Sequence, residues 1–554
     1  MSIQVRTIKI HPVDNVQVAL TDLKNGETID TGAGAITLLN DIPAKHKFAL
    51  TDLPQDADVI MYGVLVGKTL APIKKGDIIS TRNVRHASNS YTVKERKTSW
   101  QVPDVSAWRN KTFMGYHRAD GSVGTANYWL VIPLVFCENK NVQTIQDAFA
   151  KELGYQHDAS VPRYQVRELI ELYKSGKTIE EMAAADLSGV AGRIKNEKRL
   201  FPHVDGIKFL THALGCGGTK EDARDLCGLL AGYITNANVA GATILSLGCQ
   251  NAQVELLQHE IQKRDARFTK PLIILEQQKL GNESVLLEKA IKETFAGLVK
   301  ANQLTRQPAP LSKLCIGLEC GGSDGFSGIS ANPALGYAAD LLVALGGSVI
   351  LSEFPELCGV EQELSDRCVN EELAAKFVRL MADYNAKATA IGSGFDSNPS
   401  AGNIKDGLIT DAIKSAGAAR KGGTSPVTDV LDYPEKVTKP GLNLLCTPGS
   451  DIESTTAEVG SGANIVVFTT GLGTPTGNPI APVLKVSTST HLYNKMQDII
   501  DIDAGTIISG EETIQQTGER ILDYVIRVAS GELQAKAVLG QHDDFIPWKR
   551  GLSL

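Results

Sequence analysis

The sequence contains no run of eighteen apolar residues, so it predicts no membrane-spanning helix. Its first fifteen residues, MSIQVRTIKIHPVDN, contain no apolar core of signal-peptide length. The nine cysteines are an odd number and are scattered through the chain, which argues against a secreted disulfide framework. Together these absences predict a cytoplasmic protein with reduced thiols and no membrane partner.

An excess of positive charge is also absent. Lys and Arg number 56 against 63 Asp and Glu, which gives a formal net charge of −7. We expect no nucleic-acid partner, because binding to a phosphate backbone requires a basic face. Aromatic residues are scarce at 6%, whereas glycine is abundant with 52 residues. This balance favours an α/β enzyme that acts on a small molecule, and it leaves the oligomeric state open, a homo-oligomer included.

The 554 residues correspond to three to four domains at about 150 residues each. Residues 1–97 contain short apolar runs between Gly-, Asn- and Asp-rich turns, which predicts a small all-β domain. Residues 98–110 are polar and basic and are interpreted as a linker. After them, strand-like and helix-like segments alternate. We therefore expect two α/β domains, at 111–300 and 301–554, with largely parallel sheets and helices on both faces.

Several predicted strands end in a glycine-rich loop that carries ionisable or nucleophilic residues. Ligands bind at the carboxyl ends of strands in open parallel sheets, so such loops can converge on one pocket. In THALGCGGTK, His212 and Cys216 are four residues apart after a strand. This spacing across a loop can bring an imidazole and a thiolate to one ion. A buried cysteine and a capping histidine would explain the same pattern.

The densest block is LECGGSDGFSGISANPALG. Seven polar or ionisable residues fall within fourteen positions there, namely Glu319, Cys320, Ser323, Asp324, Ser327, Ser330 and Asn332. A loop this polar is costly to order unless a ligand or an ion satisfies its polar groups. Glu353, which ends the strand-like SVILSE, is a further candidate ligand or acid–base group.

Other loops carry candidates that turn or capping chemistry would also explain. These candidates are Cys249 in LGCQNAQ, Asp396, Asn398 and Asn403 in GFDSNPSAGN, and Cys446, Asp451, Glu453, Thr455 and Glu458 in CTPGSDIESTTAEVGSG. Lys485, after GLGTPTGNP, would offer a cation to an anionic ligand, and a surface lysine is the equal alternative. His11 and His46 are lone histidines of the β-domain, a situation that is more often structural than catalytic.

Taken together and in this order, the blocks resemble those of the altronate and galactarate dehydratases over nearly the whole chain. KIHPVDNVQVAL and HKFALTDL resemble the SAF β-clip domain of that family, and GYHRADGSVGTAN resembles the block that opens its main part. THALGCGG, SLGCQ, LECGGSDGFSGISANPALG and FTTGLGTPTG follow at comparable positions. Within the family, the altronate branch is the best match.

The resemblance implies an enzyme of hexuronate catabolism that removes water from a sugar acid, D-altronate, to give 2-dehydro-3-deoxy-D-gluconate. It also implies iron(II) or manganese(II), a divalent ion that stabilises negative charge as the proton alpha to the carboxylate leaves. On the strength of the loop clusters, we predict that the metal ligands or their immediate support are His212, Cys216, Glu319 and Asp324. The catalytic groups are His11, His212 and Glu353. The substrate-binding groups are Arg118, Ser323, Asn332, Thr470 and Lys485.

The chain departs from the family pattern at two places. DIISTRNV stands where many relatives have a histidine-rich HVHTHN-like segment, and the nearest histidine is His86. Leu472 stands where an arginine is common, and Arg118 is one candidate to bind the substrate in place of that arginine. Three alternative functions stay open, namely a galactarate dehydratase, a sulfolactate sulfo-lyase and a non-catalytic sensor of sugar acids.

Overall fold

The computed structural model describes residues 5–32, 34–89, 91, 96–155, 161–187, 199–395, 398–551 and 553. Within these ranges, none of the helices combines the length and the apolar character that a bilayer crossing requires.

The N-terminal part is a small domain of antiparallel strands, as the sequence predicts. Its strands are β1 (Thr7–Ile8), β2 (Val16–Ala19), β3 (Thr28–Asp30), β4 (Ala35–Thr37), β5 (Lys47–Ala49), β6 (Asp58–Met61), β7 (Val64–Thr69), β8 (Ile78–Ile79) and β9 (Val84–Arg85). They form sheets in the orders β1-β2-β5-β8, β3-β4 and β6-β7-β9. Phe48 and Val66 are fully buried, and their neighbours along β5 and β7 are buried with them.

An α/β unit with a four-stranded parallel sheet follows. Its strands are β10 (Thr112–His117), β11 (Val123–Gly124), β12 (Tyr128–Pro133), β13 (Gly206–Phe209), β14 (Val239–Ser246) and β15 (Leu272–Glu276). Its helices are α1 (Asn139–Glu152), α2 (Val161–Lys174), α3 (Ile179–Ala183), α4 (Lys220–Thr235), α5 (Val254–Arg264), α6 (Gln277–Leu280) and α7 (Glu283–Ala301). The parallel sheet has the order β13-β12-β14-β15.

A second α/β unit contains the largest sheet. Its strands are β16 (Gln307–Pro310), β17 (Cys315–Cys320), β18 (Ser348–Leu351), β19 (Val427–Leu431), β20 (Gly441–Leu445), β21 (Ile465–Thr470), β22 (Val483–Ser487) and β23 (Ile502–Asp503). Its helices are α8 (Ala331–Ala344), α9 (Glu361–Asp366), α10 (Glu371–Ala390), α11 (Ala401–Lys405), α12 (Asp411–Ala418), α13 (Asp451–Gly460), α14 (Thr490–Lys495), α15 (Thr506–Ser509), α16 (Ile514–Ala529) and α17 (Lys536–Leu539).

The seven-stranded sheet has the order β19-β20-β18-β17-β21-β22-β23, and all its pairings are parallel. Its central strands are apolar runs buried on both sides, as expected when helices cover both faces. The prediction of largely parallel α/β sheets is therefore confirmed. Since β20, β18, β17 and β21 are neighbours, the loops that follow them meet at one edge.

The β-domain packs against the second α/β unit through buried polar contacts. The Lys45 ammonium lies 2.9 Å from Asp324 Oδ2, and Asp324 is fully buried. Lys47 Nζ donates to the Gly407 carbonyl at 2.7 Å, and Thr410 Oγ1 donates to the Val66 carbonyl at 2.8 Å. These contacts fix the β-domain beside the loop that follows β17.

We predict that Lys45→Met lowers the stability of the chain by roughly 3 kcal/mol or more. The substitution keeps most of the side-chain stem but leaves the Asp324 carboxylate buried without its nearest cation. A urea unfolding curve followed by far-UV circular dichroism measures the effect.

The control is Lys24→Met, which removes one partner of an exposed ion pair with Asp41. Such a pair contributes less than about 1 kcal/mol, so the urea midpoint should hardly move. If the two variants had equal urea midpoints, the ion pair between Lys45 and Asp324 would not stabilise the chain more than an exposed pair does.

Candidate active site

A cluster of ionisable side chains lies at the carboxyl edge of the seven-stranded sheet. Each member is supplied by the end of a strand or by the element after it. The members are Glu319 and Cys320 at the end of β17, Glu353 and Glu356 after β18, Lys414 in α12, Lys421 in the 3-10 helix Ala419–Gly422, and Glu458 in α13. All of them are less than a tenth exposed. We call these seven residues the carboxylate cluster.

Two lysines neutralise part of the cluster. Lys421 Nζ donates to Cys320 Sγ at 2.9 Å and to the Glu353 carboxylate. Lys414 Nζ lies 2.6 Å from Glu356 Oε1. Burial works against charge on Glu356, yet the ammonium groups of Lys414 and Lys421 hold the pKa of Glu356 below its ordinary value. Each lysine thus has one glutamate as its partner.

The other two glutamates have no lysine of their own. Burial, followed by the negative charges of Glu353 and Glu458, raises the pKa of Glu319 well above its usual range. Burial also raises the pKa of Glu458 to about 8. The Glu458 carboxylate has room here because residue 317 is glycine. A β-carbon at position 317 would lie 2.3 Å from Glu458 Oε2. Burial thus favours a proton over a charge on Glu319 and on Glu458, and it also raises the pKa of Glu353 against the opposing effect of the Lys421 ammonium.

The backbone of Glu353 is strained. Its φ of 61° and ψ of 56° lie in the left-handed region, which residues other than glycine rarely adopt. The Thr447 hydroxyl accepts a hydrogen bond from the Glu353 amide at 2.8 Å, and Glu353 Oε2 accepts one from the Cys320 amide at 3.2 Å. Such strain is concentrated at functional sites, where the surrounding structure holds one side chain in position.

The cluster has the donors that iron(II) or manganese(II) requires. Ligand atoms of Cys320, Glu353 and Glu356 all lie within 4.8 Å of one another. The Oε1 atoms of Glu319 and Glu353 are buried without a hydrogen-bond partner. Carboxylates suit both ions, and a thiolate suits iron(II). These three residues therefore fit a divalent ion, with unsatisfied carboxylate oxygens beside it.

One side of the cluster is lined by partly exposed groups. Asp451, at the start of α13, is half-buried, and its carboxylate lies against the backbone of Gly321. Burial, followed by the charges of Glu353 and Glu356, raises the pKa of Asp451 to about 7. A carboxyl that titrates near neutral pH can both accept and release a proton. Gly322, Gly449 and Leu472 continue this rim, with Leu472 exposed.

The structure does not bring the four predicted metal ligands together. His212 follows β13 of the four-stranded sheet, whereas Glu319 lies near the end of β17 in the seven-stranded sheet and Asp324 follows that strand. The His212 ring donates from Nε2 to the Pro133 carbonyl at 2.8 Å and accepts from the Leu214 amide at Nδ1. Burial lowers the pKa of His212 to about 4, so the ring is neutral. Both ring nitrogens therefore form hydrogen bonds that hold the loop after β13 in place. Cys216 is exposed on the same loop.

Three other predicted site residues have different surroundings. Arg118 donates to the Ala237 and Ala126 carbonyls in the first α/β unit. Lys485 lies within β22 rather than at its end, and its ammonium is buried without a hydrogen-bond partner. His11 is exposed on the β-domain, where its ring covers Gly63. The structure places none of these three in contact with the carboxylate cluster.

The remaining predicted residues shape the loops around the cluster. Asn332 donates to the Gly417 carbonyl at 2.9 Å and accepts from Thr469 Oγ1 at 2.6 Å. Thr470 Oγ1 accepts from the Gly473 amide at 2.9 Å.

Asp324 and Ser323 also hold the loop after β17. Asp324 binds Lys45 and accepts a hydrogen bond from Thr488 Oγ1 at 3.1 Å. The Ser323 carbonyl accepts from Asn403 Nδ2 at 2.7 Å. Asp396 lies outside the described residues. Of the candidates that the sequence offers, the structure brings Glu319, Cys320, Glu353 and Glu458 together in the cluster, with Asp451 at its rim.

Sequence reasoning missed three members of the cluster. Glu356 stands three residues after Glu353, a spacing that places both carboxylates on one side of a single helical turn. Lys414 and Lys421 are seven residues apart in DAIKSAGAARKGG, whose other side chains are mostly small and apolar. A spacing of seven residues places two lysines on the same face of a helix. Because this segment is too apolar to be exposed, the spacing indicates that the two cations are buried.

Three family models match the chain consecutively. The altronate/galactarate dehydratase SAF domain matches residues 5–87, the D-galactarate dehydratase/altronate hydrolase second domain matches 115–302, and the D-galactarate/altronate dehydratase C-terminal domain matches 311–553.

Full-length relatives agree with these matches. The chain is 33% identical to altronate dehydratase of Escherichia coli K12, with 97% of each chain covered. It is 32% identical to altronate dehydratase of Bacillus subtilis 168, with 95% of each covered. It is also 32% identical to galactarate dehydratase (L-threo-forming) of E. coli K12, over 95% of this chain and 93% of that one.

The raised pKa of Glu458 gives a testable dependence of stability on pH. The folded chain keeps a proton on Glu458 up to about pH 8, whereas the unfolded chain loses it near the ordinary value of 4.5. This stabilisation is complete at low pH and is lost as the pH rises to about 8, at up to about 1.4 kcal/mol per pH unit. Glu458→Gln removes this contribution.

Melting temperatures of the chelator-treated protein between pH 5.5 and 8.5 should therefore fall less steeply for Glu458→Gln than for the unmodified chain. Glu371→Gln, at an exposed position, should follow the unmodified chain. Parallel curves for all three proteins would show that Glu458 does not hold this proton.

Proposed function

Because the chain belongs to the family of altronate and galactarate dehydratases, we propose that it is a hydro-lyase that removes water from a sugar acid, with D-altronate as substrate. The product is then 2-dehydro-3-deoxy-D-gluconate. The full-length similarity to two altronate dehydratases supports this choice. The single structural observation that carries it is the carboxylate cluster at the carboxyl edge of the large sheet, where ligands of parallel α/β folds bind.

We assign the metal site to Cys320, Glu353 and Glu356 and the metal to iron(II) or manganese(II). When bound, the ion stabilises the negative charge that develops on the substrate carboxylate as the neighbouring C–H bond breaks. Lys414 and Lys421 act as positioning residues, because each holds one glutamate by an ion pair within the buried cluster. The backbone of Glu353, fixed in the left-handed region, directs its carboxylate toward Cys320.

We assign the proton transfer to Asp451. Its carboxylate takes the proton from the carbon next to the substrate carboxylate. The protonated carboxyl then gives that proton to the hydroxyl leaving from the next carbon, so water departs and a carbon–carbon double bond forms. The resulting enol rearranges to the keto acid. A carboxyl whose pKa is raised toward neutral pH by burial suits both halves of this transfer.

The rim beside Asp451 suits the acid end of the substrate. Asp451 begins the ten-residue helix α13, and the first amide groups of a helix attract anions. Gly322 and Gly449 leave the backbone accessible to a ligand there, because neither has a side chain. D-Galactarate has carboxylates at both ends and is the competing substrate, since a galactarate dehydratase is nearly as similar to the chain.

We expect purified protein, supplied anaerobically with iron(II), to form a keto acid from D-altronate faster than from D-galactarate or sulfolactate. Glu353→Gln and Glu356→Gln should each lose bound metal and at least 100-fold in turnover, because each removes a charged ligand. Metal analysis and a keto-acid assay measure both quantities.

His212→Ala is the matched control, since it removes a buried residue of a different parallel sheet. It should keep its metal and most of its turnover. If His212→Ala lost the metal while Glu353→Gln and Glu356→Gln kept it, the assigned site would be wrong. If the protein converted D-galactarate alone, the assigned substrate, D-altronate, would be wrong. If it converted none of the three acids, the proposed activity would be contradicted.

The pH profile tests Asp451. In the unmodified chain, kcat/KM should fall as the pH drops through the pKa of Asp451, which burial raises above its ordinary value, because the protonated carboxyl no longer accepts a proton. Asp451→Asn should lower kcat by about 100-fold or more and remove this acidic limb. Asp383→Asn, which changes an exposed carboxylate of α10, should leave the profile unchanged. A profile for Asp451→Asn with the same limb would exclude Asp451 as the base.

A further inference from the structure

Three potential metal ligands meet where the β-domain joins the second α/β unit, outside the carboxylate cluster. Ligand atoms of His86, Cys358 and Asp411 all lie within 4.8 Å of one another. His86 follows β9, Cys358 follows the 3-10 helix Phe354–Leu357, and Asp411 begins α12. The three side chains therefore come from three segments that are distant in the sequence.

Asp411 provides a second indication of a ligand. The residue is 2% exposed, and its Oδ2 atom is buried without a hydrogen-bond partner. Its Oδ1 atom accepts a long hydrogen bond, 3.3 Å, from Ser415 Oγ in the next turn. Leaving a buried carboxylate oxygen unsatisfied is costly unless the oxygen has a cation or a proton. Burial raises the pKa of Asp411 to about 8, in accord with that cost.

The other two side chains are held beside Asp411. The Cys358 side chain is hydrogen-bonded to the Asp411 carboxyl. The Ala412 amide donates to His86 Nδ1 at 3.4 Å, so the imidazole lies against the first turn of α12. Close packing continues at Gly359, where a β-carbon would lie 3.1 Å from the side chain of Ser88.

The donor set and its exposure fit a metal that binds from solvent. His86 and Cys358 are half-buried, whereas Asp411 is buried beneath them. One imidazole, one thiolate and one carboxylate are the ligands that zinc takes in proteins, with water in a fourth position. Three ligands from different segments would also hold those segments together.

We propose that His86, Cys358 and Asp411 form a second metal site, which binds zinc or a similar divalent cation and fastens the end of the β-domain to the second α/β unit. Binding deprotonates the Cys358 thiol and, where it is protonated, the Asp411 carboxyl, and these protons go to solvent. The proposal does not depend on the proposed function, since its ligands differ from Cys320, Glu353 and Glu356.

Cobalt(II) is the first probe, because thiolate ligation gives it a charge-transfer band in the near ultraviolet. The full chain, freed of metal with a chelator, is titrated anaerobically with cobalt(II). In a Cys320→Ser background, which removes the thiol of the first site, we expect a band that saturates at one equivalent. Adding Cys358→Ser should abolish this band, and adding Cys137→Ser, at an exposed cysteine, should preserve it.

Zinc itself is the second probe. Equilibrium dialysis should find one equivalent less zinc on His86→Ala and Asp411→Asn than on the unmodified chain. Zinc should raise the melting temperature of the unmodified chain by a few degrees and that of His86→Ala by much less. His86 is half-buried, so this variant is expected to fold, which circular dichroism checks.

A cobalt band that survives Cys358→Ser would overturn the proposal, and so would equal zinc content in the unmodified chain and His86→Ala. Neither readout involves turnover of a sugar acid. A failure of this site is therefore distinguishable from a failure of the proposed activity.

Discussion

The second α/β unit is organised around an excess of buried negative charge. Four glutamates lie at the carboxyl edge of its sheet, each almost fully buried, with two lysines among them. Removing an ion from water costs several kcal/mol even after the protein relaxes, so a buried carboxylate needs a proton, a cation or strong hydrogen bonds. Lys421 is paired with Glu353 and Lys414 with Glu356, whereas burial favours the protonated forms of Glu319 and Glu458. A divalent ion in this cluster would supply the two positive charges that the lysines do not.

The same constraint explains features of the surrounding sequence that otherwise look arbitrary. Glycine at 317 leaves room for the Glu458 carboxylate, and Ser352 donates to Glu458 Oε1 at 2.8 Å. The β-domain supports the cluster indirectly, because Lys45 neutralises Asp324 on the loop after β17. That loop continues directly from Glu319 and Cys320, so docking of the β-domain and the geometry of the cluster are linked through a few residues of chain.

The fold was largely predictable from the sequence, whereas the site was predictable in part. Short β-branched runs between turns identified the N-terminal domain, and alternating strand and helix patterns identified the parallel sheets, because both signals are local. Convergence of loops depends on which strands become neighbours, and that is not local. His212 follows one predicted strand and Glu319 ends another, yet these strands belong to different sheets.

The orientation of individual side chains could not be predicted from the sequence either. Lys485 follows a glycine-rich loop in sequence but lies in the middle of β22. Its ammonium is buried away from the rim that Asp451 and Gly322 form. Glu356 and Lys421 were missed because single residues in a 3-10 turn or a small-residue helix resemble ordinary surface charges. Glu356 pairs with Lys414, and Lys421 pairs with Glu353. These pairs become visible only when α12 and the 3-10 helix after it are placed beside the turn that follows β18.

Diffraction from crystals loaded with manganese(II), recorded at the manganese absorption edge, shows directly whether the buried glutamates hold the ion. We expect an anomalous peak at bonding distance from the carboxylates of Glu353 and Glu356. An anomalous peak ligated by His212 and Cys216, with none among the buried glutamates, would contradict it.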